Sequence, residues 1–170
     1  MLSELAKQQL RKAGWYEGRK IDLTQYEEKI KQNGSELFPA ARKFLEEFGD
    51  LYIADKYEAL DVKEGYCIKE SRIGLPYCCV RRNLSLEEKV KELTGQKILK
   101  VGAIDCCEIY IYISEDGKFY TDWYNIGLHA ENSDQLWNEY YGEDYGWATW
   151  DDLAAGKGRT MKKKQVKKYL

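Results

Sequence analysis

The 170-residue chain has a single histidine, His129, and only two prolines. One imidazole excludes a zinc or acid–base site built from several histidines, and a Cys/His dyad would have to bring one of five cysteines to that ring. No apolar run approaches the length needed to span a bilayer, and residues 1–10 lack a cationic lead followed by an apolar block. A cytoplasmic location with no membrane partner is the expectation. The scarcity of proline and the lack of any Ser/Gly-rich run leave no sign of a linker or a disordered body.

The cysteines do not suggest a disulfide framework or a metal site. Their number is odd, and four of them fall in two adjacent pairs, Cys78-Cys79 and Cys106-Cys107. On a strand, neighbouring side chains point to opposite faces and do not clasp one ion together. They read as small buried hydrophobes in a reducing compartment, with no metal or cofactor expected.

What is present describes one globular domain. With 44% apolar and 33% charged residues, the chain can bury a substantial core and still be well solvated. The net charge of -2 hides an asymmetry: residues 123–156 carry seven acids and no Lys or Arg, while residues 157–170 carry seven bases and no acid. We therefore expect a domain over residues 1–156 and a basic C-terminal tail, 157–170, solvated and frayed, that balances the acidic stretch. Direct binding of nucleic acid is not expected, because the basic run has no stacking aromatic within it.

Helices come first along the chain. Leu2, Leu5, Ala6 and Leu10 recur at helical spacing up to Ala13-Gly14. Thr24-Gln25-Tyr26-Glu27 fits a capping box opening a second helix that stops at Asn33-Gly34. Ser35 is placed to cap a third, whose stripe Leu37, Phe38, Ala41, Phe44, Leu45 and Phe48 ends at Gly49, suited to a left-handed stop. Ser85-Leu86-Glu87-Glu88 is a further capping box, for a helix over about residues 86–94.

Strands follow, at 98–103, 108–114 and 118–123, with weaker signals near 59–62 and 66–68. In the second of the clear strands Ile109, Ile111 and Ile113 alternate with Tyr110 and Tyr112, giving one aliphatic and one aromatic face. A three-residue loop with Gly117 left-handed sets Phe119 beside Ile113 and Thr121 beside Ile111, keeping the aliphatic face intact. Helices followed by an antiparallel meander define an α+β fold, with the N-terminal helices packed on one face of a central antiparallel β-sheet.

Catalytic chemistry finds no anchor. Carboxylates are plentiful, but no pattern selects a facing pair, and the glycines carry no phosphate-cradling signature. An enzyme is not expected.

The order Gly14-Trp15, Gly18-Arg19, Ile21-Asp22, Tyr26, Gly34, Ala41, Phe44-Leu45 and Phe48-Gly49-Asp50-Leu51 resembles the opening of the third family of the SUKH superfamily of bacterial immunity proteins. The later half resembles it through Val101-Gly102, the hairpin Ser114-Glu115-Asp116-Gly117, and Trp150-Asp151-Asp152-Leu153 before Gly156; residues 54–99 match poorly. Where the family usually has two glycines, this chain has Gly49-Asp50. The resemblance implies a SUKH-like single domain that binds a polymorphic or contact-dependent toxin domain, often a nuclease or nucleic-acid deaminase, and blocks it. Within the motif, Trp15 reads as a core plug, and Arg19 and Asp22 as an ion pair locking the first two helices.

The candidate partner-binding surface lies at the other end of the chain. Glu131, Asp134, Glu139, Glu143, Asp144 and Asp151 are interleaved with Trp137, Tyr140, Tyr141, Tyr145 and Trp147. Anchoring aromatics in a negative field suit an inhibitor of an enzyme with a basic cleft. Because Leu136, Trp137, Tyr140 and Tyr141 also have helical spacing, some of these rings must instead pack on the body. The competing functions are a scaffold or regulatory interaction module of the same fold and, further off, a small hydrolase.

Overall fold

The computed structural model describes residues 1–122 and 126–170. Three helices open the chain: α1 (Glu4–Lys12), α2 (Thr24–Gln32) and α3 (Pro39–Phe48). They are followed by β1 (Tyr52–Glu58), β2 (Tyr66–Ile73), α4 (Leu84–Thr94), β3 (Ile98–Ile104), β4 (Ile109–Ser114), β5 (Phe119–Thr121), β6 (Gly127–Ala130), α5 (Ser133–Tyr141), β7 (Asp144–Thr149), α6 (Trp150–Ala154) and β8 (Thr160–Lys163). The strands form one eight-stranded antiparallel sheet in sequence order. The chain is an α+β single domain with its N-terminal helices on one sheet face.

The two faces follow from the alternation in β4. Ile111 and Ile113 join Phe44, Leu45, Phe48, Leu99, Val101 and Phe119 in the main core beneath α1, α2, α3 and α5. Tyr112 points the other way and packs with Leu86 and Val90 of α4, Ile98, Tyr120 and Leu128. Ile113 pairs with Phe119 and Ile111 with Thr121, the register a left-handed Gly117 demands. The sequence-derived strand over 118–123 reaches Trp123, which lies outside the described residues.

Several caps differ from the expected ones. The N-cap of α4 is Asn83, whose side chain accepts from Leu86 N at 3.2 Å, and Ser85 lies inside the helix. Helix α3 begins at Pro39 with no side-chain cap, so Ser35 does not cap it. Proline suits that place, since the first helical N–H has no partner in any case. Gly49 is not left-handed; the positive φ, 60°, belongs to Asp50. Asp tolerates that conformation better than most residues, and here its carboxylate accepts from the Tyr26 hydroxyl at 2.5 Å.

Residues 59–62 are not a strand; they belong to the turn between β1 and β2. Neither cysteine pair lies in a strand, Cys78-Cys79 ending a short 3-10 helix and Cys106-Cys107 sitting in the turn between β3 and β4; of the five cysteines only Cys78 is buried, with Cys106 exposed. The expectation of uniformly buried cysteines is therefore corrected: Cys78 reaches the main core, whereas Cys67, Cys79 and Cys107 are half-buried.

The C-terminal segment is not frayed. β8 pairs with β7 from Asp144↔Lys163 to Trp147↔Thr160, and Tyr169 then bridges to Tyr57 on the free edge of β1. Glu58 N donates to Lys168 O at 2.9 Å and Leu170 N to Lys56 O at 2.8 Å, so the last residues link both ends of the sheet. The backbone groups of an edge strand need partners, and the tail supplies them. Its lysines still balance the acidic stretch, now as cross-strand neighbours.

Candidate partner interface

The N-terminal motif residues make internal contacts. Trp15 is buried and stacks on Phe48, with ring centroids 6.4 Å apart. Its indole N–H donates to Glu47 Oε1 at 3.2 Å. Arg19 donates to the Glu47 and Gly49 carbonyls at 2.7 and 2.8 Å, satisfying carbonyls that the end of α3 leaves free. Asp22 accepts from Thr24 N at 3.0 Å and Thr24 Oγ1 at 2.7 Å. The expected Arg19–Asp22 ion pair is thus replaced by two helix-end caps. Thr24 is the first residue of α2 and the recipient of the cap, because Asp22 lies at the right distance to reach its N–H.

The acidic and aromatic residues of the last third separate into two groups. Trp137 and Tyr141 lie in the main core, and Glu139 is buried as well. Trp137 packs on Phe48 at 5.6 Å and on Tyr140 at 5.9 Å between centroids. Tyr141 donates to Asp55 Oδ1 at 3.3 Å. Glu139 forms an ion pair with Arg159 in which both side chains are nearly inaccessible, at 7% and 6%, and it accepts from Gly146 N at 2.8 Å. These three do not reach the surface. Helical spacing puts Trp137 and Tyr141 on the core-facing side of α5, whereas Glu139 lies on another side and is covered by Gly146 of β7 and by Arg159.

The second group is accessible. Glu131, Glu143, Asp144 and Asp151 are exposed, while Asp134, Tyr140, Tyr145 and Trp147 are half-buried. Tyr140 is tied to Ser71 Oγ at 3.0 Å, and Trp147 meets the His129 ring edge-on at 6.2 Å. The acids are not a bare negative field. Lys163 of β8 lies 3.6 Å from Glu143 and 2.6 Å from Asp144, the N-terminal ammonium 2.8 Å from Asp134, and Lys118 3.7 Å from Glu131. The two charge blocks of the sequence face each other across the β7–β8 ladder and screen one another.

The sequence reading missed the basic residues on the inner side of this region, chiefly Arg159. It is the one arginine in a lysine tail, and a planar guanidinium suits a buried carboxylate better than an ammonium does. Gly146 leaves room for it, since a Cβ there would meet the guanidinium.

Two groups, buried Asp55 and half-buried His129, oppose each other in their response to pH. Burial pushes the Asp55 carboxyl up from 3.8 to about 6, with the Tyr141 hydrogen bond and nearby lysines opposing the rise. Burial, with Arg159 and Lys164 adding repulsion, pulls the His129 imidazole from 6.5 down to about 4. A raised carboxyl contributes stability that is full below pH 3.8 and lost as pH rises through about 6. A lowered imidazole contributes stability that is full above pH 6.5 and lost as pH falls through about 4. Asp55→Asn removes the first effect and leaves the second. This variant should therefore lose more stability than the parent on going from about pH 7 to about pH 5, read as urea midpoints; equal losses would show that Asp55 does not titrate in this window.

Among the described residues, no group of three or more His, Cys, Asp or Glu side chains is placed to hold a metal ion, and no helix is long and apolar enough to cross a membrane. Comparison with curated proteins and with solved structures gives no match. Against protein-family models, residues 2–141 match the SUKH-3 immunity protein family. The match runs from α1 to the end of α5 and stops before β7, so it includes the Trp15, Arg19 and Asp22 contacts and leaves the β7–β8 hairpin outside. With most of its length matched, the chain belongs to the SUKH-3 immunity protein family, within the SUKH superfamily.

Proposed function

We propose that this protein binds a cognate secreted or contact-delivered bacterial toxin domain, a nuclease or nucleic-acid deaminase, in the cytoplasm and neutralises it by covering its active site. Family membership over residues 2–141 carries the immunity function. The contact is assigned to the accessible part of the acidic and aromatic region: Glu143 and Asp144 at the start of β7, Tyr145 and Trp147 along it, Asp151 in α6, and Glu131 and Asp134 before and within α5. This reading is supported by the exposure of Glu131, Glu143, Asp144 and Asp151 next to half-buried rings, a pairing of polar rim and aromatic anchor common at interfaces. Trp137, Tyr141 and Glu139 serve it from beneath, by holding α5 and β7 in place.

Occlusion needs no bond-making by the protein. Toxin docking would trade Lys163 for a basic residue of the toxin as partner to Glu143 and Asp144, so association should be salt-sensitive.

The test is co-expression with the toxin domain encoded beside it, using Glu143→Lys with Asp144→Lys. Both acids are exposed, so the fold should survive. Protection should fall and association should slow by about tenfold or more at low salt, with a weaker salt dependence. Protection and association matching the parent would take this hairpin out of the interface. Glu139 is unsuitable for such a test, because reversing it would break the buried pair with Arg159.

A further inference from the structure

The two ends of the sheet are joined to its centre by few paired residues. Among the described residues, β2 pairs with β3 at Arg72↔Ala103 and Ile73↔Gly102, and β6 pairs with β7 at Gly127↔Thr149 and Leu128↔Ala148. The chain after β8 crosses from that end of the sheet to the free edge of β1, and beneath it lies a cavity of about 290 Å³. We propose that this cavity is a binding site for a small oxyanion, inorganic phosphate or a small phosphate-bearing molecule, held by Lys69, Lys164 and Lys167.

Three ammonium groups line one small space. Lys69 from β2 and Lys164 from the crossing segment each lie 5.9 Å from the centroid of the same ring, Tyr140. Lys164 also lies 6.0 Å from the Tyr145 ring and donates to Tyr140 O at 2.8 Å. Lys167 sits 4.0 Å from the Tyr57 ring centroid. Among the described residues, Lys164 and Lys167 have no carboxylate partner, whereas Lys69 pairs with Asp105. The other carboxylate in the lining, Glu139, is already taken by Arg159 and Gly146 N.

The three ammonium groups repel one another across this space, and the Asp55 carboxyl, beyond the lining, attracts Lys167 and Lys69. Burial, followed by repulsion from Lys167 and Lys164, pulls the Lys69 ammonium down to about 7, and burial with Lys167 pulls Lys164 down to about 8. A multiply charged anion between the lysines would relieve that repulsion and restore the charged forms, whereas an apolar ligand would do neither. Pockets for drug-sized molecules run from about 300 to 1,000 Å³, so the cavity suits a ligand at or below the small end of that range. Its roof, formed by Lys164, Gln165, Lys167 and Tyr169, favours a small ion over a protruding side chain of a partner protein.

The probe is inorganic phosphate, titrated into the full chain at constant pH and constant ionic strength against chloride. Saturable binding should be seen by calorimetry and by amide shifts around Lys69 and Tyr140, and phosphate should raise the melting temperature. Lys164→Gln with Lys167→Gln should weaken binding by tenfold or more and abolish the phosphate-induced rise. Without phosphate this variant should melt at or above the parent temperature, because it lacks the repulsion. Lys31→Gln with Lys43→Gln makes the same charge change at exposed positions on α2 and α3 and should bind as the parent does. No saturable binding by the parent, or equal weakening in the two double variants, would overturn the proposal. Toxin protection is a separate readout, so failure here leaves the immunity reading standing.

Discussion

Arg159→Ala should destabilise the protein by about 3–5 kcal/mol, although the arginine lies in a segment that reads from sequence as a loose basic tail. The reason is what it leaves behind. The Glu139 carboxylate is almost inaccessible and has two partners, Gly146 N and the Arg159 guanidinium. Removing the guanidinium strands a buried negative charge whose remaining hydrogen bond does not offset its desolvation. Glu139→Gln in the same chain supplies a neutral acceptor for Gly146 N, and the double variant should recover much of the loss. Replacing both members of a buried pair costs far less than removing one. Urea unfolding of the parent, the two single variants and the double variant measures the coupling. Additive losses would mean that the two side chains act independently. Toxin affinity should fall with Arg159→Ala only in proportion to the unfolded fraction.

Trp137→Ala should cost about 3–5 kcal/mol, the range for removing a buried large aromatic. For a chain of this size that corresponds to a fall of roughly 6–20 °C in melting temperature. The ring is fully buried at the junction of α3 and α5, against Phe48, Tyr140 and Tyr141, and its removal opens a cavity those neighbours cannot all fill. Trp137→Phe should be much milder. It keeps an aromatic plate in the stack and discards an indole N–H that has no hydrogen-bond partner among the described residues. The pair of variants separates a core role from a direct contact with the toxin. If Trp137→Phe leaves the melting temperature nearly intact while affinity drops tenfold or more, the ring takes part in binding by a rearrangement of α5. If affinity follows stability in both variants, it is a support for the surface above it.

These expectations turn on burial, and burial was only partly legible in the sequence. Where one side chain decides the outcome locally, the reading was close. The alternation of Ile111 and Ile113 with Tyr110 and Tyr112 gave the two faces of β4, and Gly117 selected the loop that sets its register with β5. The stripe on α3 was equally direct, and so were the bounds of α2. Caps were less legible, because several polar residues lie within reach of each helix start. Asn83 holds the N-cap place for which Ser85 was the sequence candidate, and at α2 that place falls to Leu23 while Asp22 accepts from the N–H of Thr24, the sequence candidate.

The last third was least legible, for a different reason. Each of α5, β7, α6 and β8 is short, and its burial depends on what the rest of the chain brings to it. Local spacing indicated that some rings of α5 face inward, but the packing of α3 against it decided that Trp137 and Tyr141 are the ones. Nothing near Glu139 in sequence indicates that its partner is Arg159, twenty residues away on the approach to β8.

Taken by itself, the sequence determined the α+β class, the family and the order of helices before strands, because these rest on periodic apolar spacing and on motifs read along the chain. It also determined that the charges of residues 123–156 are all acidic and those of residues 157–170 all basic. Only the tertiary structure decided how they meet. Antiparallel pairing of β7 with β8 sets Glu143 and Asp144 against Lys163, buries one carboxylate with one guanidinium, and carries Lys164 and Lys167 over a cavity that Lys69 also lines. Hydrogen bonding of two strand edges imposes that geometry, and the partners of an edge are chosen by the whole fold rather than by neighbours in sequence.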